Sequence, residues 1–227
     1  MKITWHAHAC FRIEGGGHTI VADPYTPEKS GFAPVTEPAC IVIRCAHDDS
    51  AHGNADMIKG NPEVVTATRI LERGATVRGL SITAIPGKES MIAKLEPRDN
   101  AMYRFELEGI RLLHFGDIGN AVTEAQLAEM QDVDIAFVPT GGSPTIELDD
   151  LQRALESISP KVTIPMHHGL PGCKFPDMLE ASEFADRYPV DSVVWHDASS
   201  IEINKESLPA APEIWVMRAA NADYPSS

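Results

Sequence analysis

Residues 3–23, ITWHAHACFRIEGGGHTIVAD, contain the pattern that decides the fold. From Ile3 to Ile13 the large apolar side chains fall on one parity and the polar ones on the other, which is the two-residue period of a β-strand. The three glycines at 15–17 end that pattern and allow a tight turn into a second apolar run. The chain is therefore predicted to open with strands joined by a hairpin.

Strand-like and helix-like segments follow in an order that differs between the two halves of the chain. The first half is mostly strand-like, and the second half alternates helices with strands. Two sheets packed face to face, with helices outside, satisfy both halves, so the predicted fold class is α/β. Further strands are predicted at 18–23, 39–44, 80–86, 101–115, 133–139, 161–166 and 190–195, and helices at 66–74, 123–131, 146–158 and 175–188.

The composition bounds the size and the partners of this protein. With 227 residues, 43% of them apolar, the chain is long enough for one sizeable core, which we predict over residues 1–204, with an irregular tail over residues 205–227. The absence of an apolar run of roughly 18 residues and of a secretion-like N-terminus predicts a cytoplasmic protein. A net charge of −14 disfavours nucleic acid and anionic membranes as partners. A small-molecule substrate is expected, and a homo-oligomer is left open.

Side chains able to bind a metal ion or move a proton follow the strand-like runs directly. Because such strand ends can converge in a layered core, a common site is expected there. Imidazole and carboxylate groups together suit zinc, manganese or iron, so a divalent transition metal, zinc first, is the predicted cofactor. Such an ion lowers the pKa of bound water to about 7. The groups are His47 to His52, Lys88, Asp117, and His167 with His168.

The order of these segments resembles the metallo-β-lactamase superfamily, and within it the branch of small metal-dependent hydrolases that includes ascorbate-6-phosphate lactonase. The similar segments are the opening hairpin with Asp23-Pro24, LLHFGDIG at 112–119, VPTGGSPTIELDDL at 138–151 and IPMHHG at 164–169. The resemblance implies an αββα four-layer sandwich. It also implies a hydrolase that uses a metal-bound hydroxide on a small ester, lactone or phosphorylated metabolite.

The central motif of that superfamily, HxHxDH, falls in altered form on residues 47–52, HDDSAH. His47 and His52 match the outer histidines of the motif. Asp49 stands where the second histidine belongs, and it can still coordinate through oxygen. Ala51 replaces the aspartate and cannot coordinate. The altered motif therefore offers fewer ligands than a full two-metal centre uses.

The remaining ligands implied by the resemblance come from later segments. Asp117 matches the carboxylate that touches both metals, and His167 matches the last histidine ligand. The resemblance therefore implies one or two ions, one of them held by His52, Asp117 and His167. His47 or Asp49 would be a further ligand.

Three side chains are candidates for proton transfer. Asp48 or Asp49 would handle the proton of the attacking water. Lys88 stands at or next to the position of a further histidine ligand in the superfamily, and its ammonium group is predicted to pair with Asp49 and Asp117. It would then act as an acid or base, or hold an anionic substrate. The alternative is a lysine that points into solvent.

Two residues of the opening hairpin are expected to support the site. His8 is predicted to line the site or to orient a ligand, and Asp23 to orient a ligand or its loop. The alternatives are a strand histidine with satisfied hydrogen bonds and an aspartate that forms a turn before Pro24.

Two other functions remain open at this point. The altered motif also fits a metal-poor relative that binds a ligand without hydrolysing it. The HAH at 6–8 is found in metal-dependent amidohydrolases as well, but their eight-unit barrels usually need about 250 residues, and the first half of this chain has too few helices.

Overall fold

A computed structural model describes residues 1–47, 51–89 and 98–224, and within these ranges the chain forms fourteen strands and four α-helices. The strands are β1 Lys2–Ala7, β2 Cys10–Gly15, β3 His18–Ala22, β4 Ile41–Arg44, β5 Glu63–Thr66, β6 Ala75–Val77, β7 Leu80–Glu89, β8 Arg98–Leu107, β9 Ile110–His114, β10 Ile135–Pro139, β11 Val162–Met166, β12 Val193–Trp195, β13 Ser200–Glu202 and β14 Glu213–Val216. The helices are α1 Pro27–Ser30, α2 Glu124–Glu129, α3 Leu148–Ile158 and α4 Ala181–Ala185, with 3-10 turns at Ala55–Met57, Ala67–Arg69, Val190–Ser192 and Lys205–Ser207. None of the described helices is long and apolar enough to cross a membrane.

The strands form two sheets. One has six strands in the order β13-β1-β2-β3-β4-β5, and the other has eight in the order β12-β14-β11-β10-β9-β8-β7-β6. The predicted opening hairpin is confirmed: β2 pairs antiparallel with β3, and the turn between them uses Gly16 and Gly17, both at positive φ. Two successive positive φ angles are what a two-residue hairpin turn of type I′ requires.

The two sheets share one apolar core. Phe11 on β2 of the six-stranded sheet lies 4.4 Å, between ring centroids, from Phe137 on β10 of the other. It also meets the edge of His114 on β9 at 6.1 Å. These three side chains are buried, so the inner faces of the sheets pack against each other. The predicted two-sheet α/β architecture is confirmed.

Strand direction positions the side chains that follow the strands. In the eight-stranded sheet, β9, β10 and β11 are parallel neighbours, so the loops after β9 and β11 leave from the same edge. In the six-stranded sheet β3 and β4 are also parallel. Ligand sites form outside the carboxyl ends of parallel strands. A site is therefore expected where the chain leaves the carboxyl ends of these parallel strands.

The predicted helices have mixed outcomes. The capping box of Thr123 and Gln126 is present at the start of α2, and α3 buries the apolar stripe that its sequence predicts. The predicted helix at 66–74 is wrong, because the chain continues from β5 into a single 3-10 turn. The β-branched residues in this stretch favour extended backbone. The predicted helix at 175–188 shortens to Ala181–Ala185.

The end of the chain also differs from the prediction. Residues 205–227, predicted as an irregular tail, include β14, which pairs in parallel with β11 and with β12 inside the eight-stranded sheet. Ile214 and Val216 of β14 are buried. The alanines and prolines around the short EIWV run indicated irregular structure, so the strand was not predicted. Its side chains nevertheless alternate inward and outward, as in a strand.

Candidate metal centre

Three buried histidines converge at the edge between the two sheets. His8 follows β1, His52 lies in the segment after β4, and His167 follows β11. One ligand atom from each lies within 4.8 Å of the others, and among the described residues no other group of three His, Cys, Asp or Glu side chains meets that condition. Their rings pack face to face or tilted, with centroids 3.9–5.0 Å apart.

Asp117 brings a carboxylate to two of these rings. Its Oδ2 lies 3.5 Å from His52 Nδ1, and its Oδ1 lies 3.2 Å from His167 Nε2. Burial would raise the pKa of Asp117, but the neighbouring His52 and His167 outweigh this effect and lower it to about 2. Asp117 is therefore ionised at neutral pH and supplies negative charge to the cluster.

The imidazoles have the properties of metal ligands. Burial lowers the pKa of His8 well below 6.5, and the nearby His167 and His52 lower it further, so His8 is neutral. Neither His8 Nε2 nor His167 Nδ1 has a hydrogen-bond partner within the described ranges. Buried polar atoms are nearly always paired. Imidazole nitrogens in this state, next to a carboxylate, fit a divalent transition metal.

Backbone conformation brings His8 into the cluster. The pairing of β1 with β2 shifts register between Trp5 and Ala7. His8 has a φ of 55° and His167 a φ of 52°, and the His167 N–H donates to His8 O at 3.0 Å. Left-handed backbone at non-glycine residues is costly and concentrates at functional sites. This turn adds His8 to the candidate ligands, whereas the sequence pattern predicted only a supporting role.

The structure does not bring His47 into the cluster. His47 is exposed, and its Nδ1 accepts a hydrogen bond from the Arg44 guanidinium. The other motif residues that were predicted to bind metal or transfer protons, Asp48 and Asp49, lie outside the described residues. Of the altered HDDSAH motif, only His52 is placed at the centre by the described part of the chain.

The predicted contact between Lys88 and Asp117 is wrong. Lys88 lies on β7 directly opposite Asp99 on β8, and its ammonium group pairs with that carboxylate. The Lys88 side chain is 48% exposed. The register of the β7–β8 hairpin therefore directs it to the protein surface. The other predicted partner, Asp49, is not among the described residues.

Asp23 lies in the core and contacts the backbone near the cluster. Its Oδ1 accepts the Cys45 N–H at 2.6 Å, at the start of the segment that leads to His52. Its Oδ2 accepts a hydrogen bond from the Tyr103 hydroxyl at 3.2 Å and lies 3.1 Å from His114 Nδ1. The sequence alone gave no reason to connect His114 with the site.

Phe175 is a site residue that sequence reasoning missed. Its ring stacks on His8 with a centroid distance of 4.8 Å and an interplanar angle of 17°. It lies in the segment that was predicted as a helix and that is irregular before α4. An isolated phenylalanine beside a proline carries no periodic signal, so only the tertiary structure reveals this contact.

Comparison with known proteins gives a consistent result. A family model for a beta-lactamase superfamily domain matches residues 2–167. A UPF0173 metal-dependent hydrolase of Archaeoglobus fulgidus is 27% identical over 235 residues, covering 90% of this chain and 100% of the relative. One of Alkaliphilus metalliredigens is 26% identical over 197 residues, covering 74% of this chain and 85% of the relative.

Solved structures share the architecture. A Thermotoga maritima protein, described as a zinc-dependent hydrolase of the metallo-β-lactamase superfamily, superposes with a TM-score of 0.74 at 28% identity, covering 95% of this chain and 97% of that one. Igni18, a metallo hydrolase from Ignicoccus hospitalis, has a TM-score of 0.61 at 18% identity, covering 100% and 99%. The second likeness concerns the fold alone.

Proposed function

This chain belongs to the metallo-β-lactamase superfamily of metal-dependent hydrolases, and we propose that it hydrolyses a small ester, lactone or phosphorylated metabolite at the centre formed by His8, His52, His167 and Asp117. The observation that carries the proposal is the convergence of three buried histidines on one point beside an ionised carboxylate. A bound divalent metal would polarise a carbonyl or phosphoryl oxygen and provide a nucleophile at neutral pH.

The proton positions suggest which atoms would hold the metal. An ionised carboxylate only accepts hydrogen bonds, so Asp117 favours a proton on His52 Nδ1 and on His167 Nε2, the atoms that face it. This leaves His52 Nε2 and His167 Nδ1 as lone-pair donors, together with His8. Asp117 would thus orient two ligands, an arrangement that is common at histidine–metal sites.

The other residues around the centre keep the ligands in place. Phe175 shields one face of the His8 ring from water. The backbone N–H of Asp117 donates a hydrogen bond of 3.3 Å to the side-chain oxygen of Asn100, which is itself buried. A rigid, water-poor surrounding strengthens electrostatic interactions with the reacting group. These residues are proposed to position the centre, not to contact the substrate.

Metal content and hydrolysis together test the proposal. The purified protein, reloaded with zinc, manganese or iron, is expected to retain at least one equivalent of metal and to lose it in His52→Ala and His167→Ala. His18→Ala is the matched control, because His18 lies on β3 and is no part of the cluster. A panel of lactones, carboxylic esters, phosphodiesters and phosphomonoesters then identifies the substrate class.

Two results would contradict the proposal. Wild-type protein that binds none of these metals under any loading condition would favour a ligand-binding relative without catalysis. Metal binding that is unchanged in both cluster variants would place the metal elsewhere. Metal-dependent turnover of one substrate class, lost in both variants and kept in the control, is the expected outcome.

A further inference from the structure

A buried carboxylate–imidazole pair, Asp23 and His114, lies where three loops of the proposed centre meet. The two side chains are 0% and 1% exposed, and Asp23 Oδ2 lies 3.1 Å from His114 Nδ1. Three further contacts of the pair go to backbone groups. His114 Nε2 is 3.0 Å from Ala9 O, the Gly116 N–H donates to His114 Nδ1 at 3.0 Å, and the Cys45 N–H donates to Asp23 Oδ1 at 2.6 Å.

Each of these backbone groups is close in sequence to a residue of the centre. Ala9 follows His8, and Gly116 precedes Asp117. Cys45 begins the segment that leads from β4 to His52. One pair of side chains therefore connects the loops that carry three of the four proposed site residues.

The hydrogen-bond geometry fixes where the protons of His114 lie. The carbonyl oxygen of Ala9 can only accept, so His114 Nε2 carries a hydrogen. The Gly116 N–H points at Nδ1, so Nδ1 presents its lone pair. The imidazole is therefore neutral, with its proton on Nε2. Burial, the largest influence on this ring, lowers its pKa to about 3, in agreement with the geometry.

An ionised Asp23 would then place two lone pairs 3.1 Å apart. We propose that Asp23 is instead a neutral carboxylic acid that donates its Oδ2–H to His114 Nδ1, and that this uncharged pair positions the three loops. The single lone pair of His114 Nδ1 then accepts from both the Oδ2–H and the Gly116 N–H, while Oδ1 accepts from the Cys45 N–H and Oδ2 also accepts from the Tyr103 hydroxyl. The alternative, an imidazolium beside a carboxylate, would aim the Gly116 N–H at another N–H.

The surroundings favour the uncharged state. The Tyr103 ring stacks on His114 at 4.9 Å with an interplanar angle of 7°, and Phe11 and Phe137 lie within 6.1 Å of the same ring. Burial in such an environment disfavours charged groups, and a buried ion pair regains its desolvation cost only with ideal geometry. A neutral pair also adds no second negative charge to a core that already holds the ionised Asp117.

The first test measures the proton itself and does not depend on activity. In metal-free protein at neutral pH, the infrared spectrum should show the C=O stretch of a buried carboxylic acid, which disappears in Asp23→Asn. Nitrogen-15 NMR should show His114 as the neutral Nε2–H tautomer. An ionised Asp23 carboxylate, or a doubly protonated His114, would overturn the proposal while leaving the proposed hydrolase function untouched.

The second test separates a neutral donor from an ionised acceptor, and its metal readout rests on the proposed function. The amide of Asp23→Asn can donate to His114 Nδ1 and accept from Cys45, so zinc affinity should stay within about threefold of wild type, whereas Asp23→Ala should lose more than about tenfold. Equal losses in both variants would contradict the proposal. If Asp23→Ala fails to fold, a loss of more than about tenfold in Asp23→Asn alone is the contradicting result.

Discussion

Replacing His8 by asparagine is the sharpest test of which residues bind the metal. Asparagine tolerates the left-handed backbone that His8 adopts at φ 55°, so the change removes an imidazole with little added strain. His8 Nε2 makes no hydrogen bond to any residue in the described ranges. The metal-free protein therefore loses no hydrogen bond at that atom, and the main effect falls on the metal-loaded state.

The expected magnitude follows from the ligand count. Loss of a residue that only supports a ligand typically costs 10–100-fold in metal affinity, so loss of one of three histidine ligands should cost at least about 100-fold, or about 2.7 kcal/mol. Zinc affinity is measured by competition with a chromophoric chelator. The matched control is His47→Asn, which changes an exposed histidine outside the cluster and should stay within about twofold of wild type.

One pattern of results would refute this reasoning. If His8→Asn binds zinc as tightly as wild type while His47→Asn loses affinity, the ligands are those implied by the HxHxDH motif and not those of the histidine cluster. Equal, large losses in both variants would mean that His47 joins the centre when metal binds. Thermal unfolding of each metal-free variant checks that the fold is retained.

Three further outcomes are expected. Gly116→Ala should destabilise the fold by at least about 2 kcal/mol in denaturant unfolding, because the residue has φ +60° and a Cβ there would lie 2.9 Å from Cys45 Cβ; a neutral effect would contradict this. Lys88→Ala should leave zinc affinity unchanged within about twofold, since it removes only a surface ion pair. A larger loss would mean that Lys88 contributes to the metal centre. Burial would raise the pKa of Asp134, but hydrogen bonds from Arg111 and a neighbouring lysine outweigh it and hold it at about 2, below the ordinary 3.8. The ionised Asp134 therefore adds about 2 kcal/mol to the free energy of unfolding above pH 3.8, and this stabilisation is lost as the pH falls toward 2. Asp134→Asn should have a lower free energy of unfolding than wild type at neutral pH, and that free energy should fall less on acidification.

Much of the fold could be predicted because its signals are local. Alternating apolar residues and paired glycines specify the opening hairpin without reference to the rest of the chain. The capping box at Thr123 and the apolar stripe of α3 likewise specify two helices from local sequence alone. The wrong helix at 66–74 shows the limit of this reasoning, since a stretch with a helix-ending glycine but several β-branched residues takes its conformation from the sheet beside it.

The site was predictable only in part, for a physical reason. His52, Asp117 and His167 each follow a strand, and strand direction brings them together. The contribution of His8 depends on a register shift and on a positive φ. No residue pattern in the hairpin predicts either feature. For Asp23 the sequence predicted a residue that orients a ligand or its loop, with a turn-forming aspartate as the alternative, and only its contacts with the loops distinguish the two.

The altered motif at 47–52 does not by itself argue against a metal centre. What a metal ion requires is that neutral nitrogen and carboxylate donors converge in a buried place, and the order of those donors along the chain is irrelevant to that requirement. Here the third imidazole comes from His8 in the opening hairpin, bound to the loop of His167 by a backbone hydrogen bond of 3.0 Å. An exposed His47 is therefore compatible with a complete three-histidine cluster, because the six-stranded sheet supplies His8 and His52 from two different loops and the eight-stranded sheet supplies His167 with Asp117.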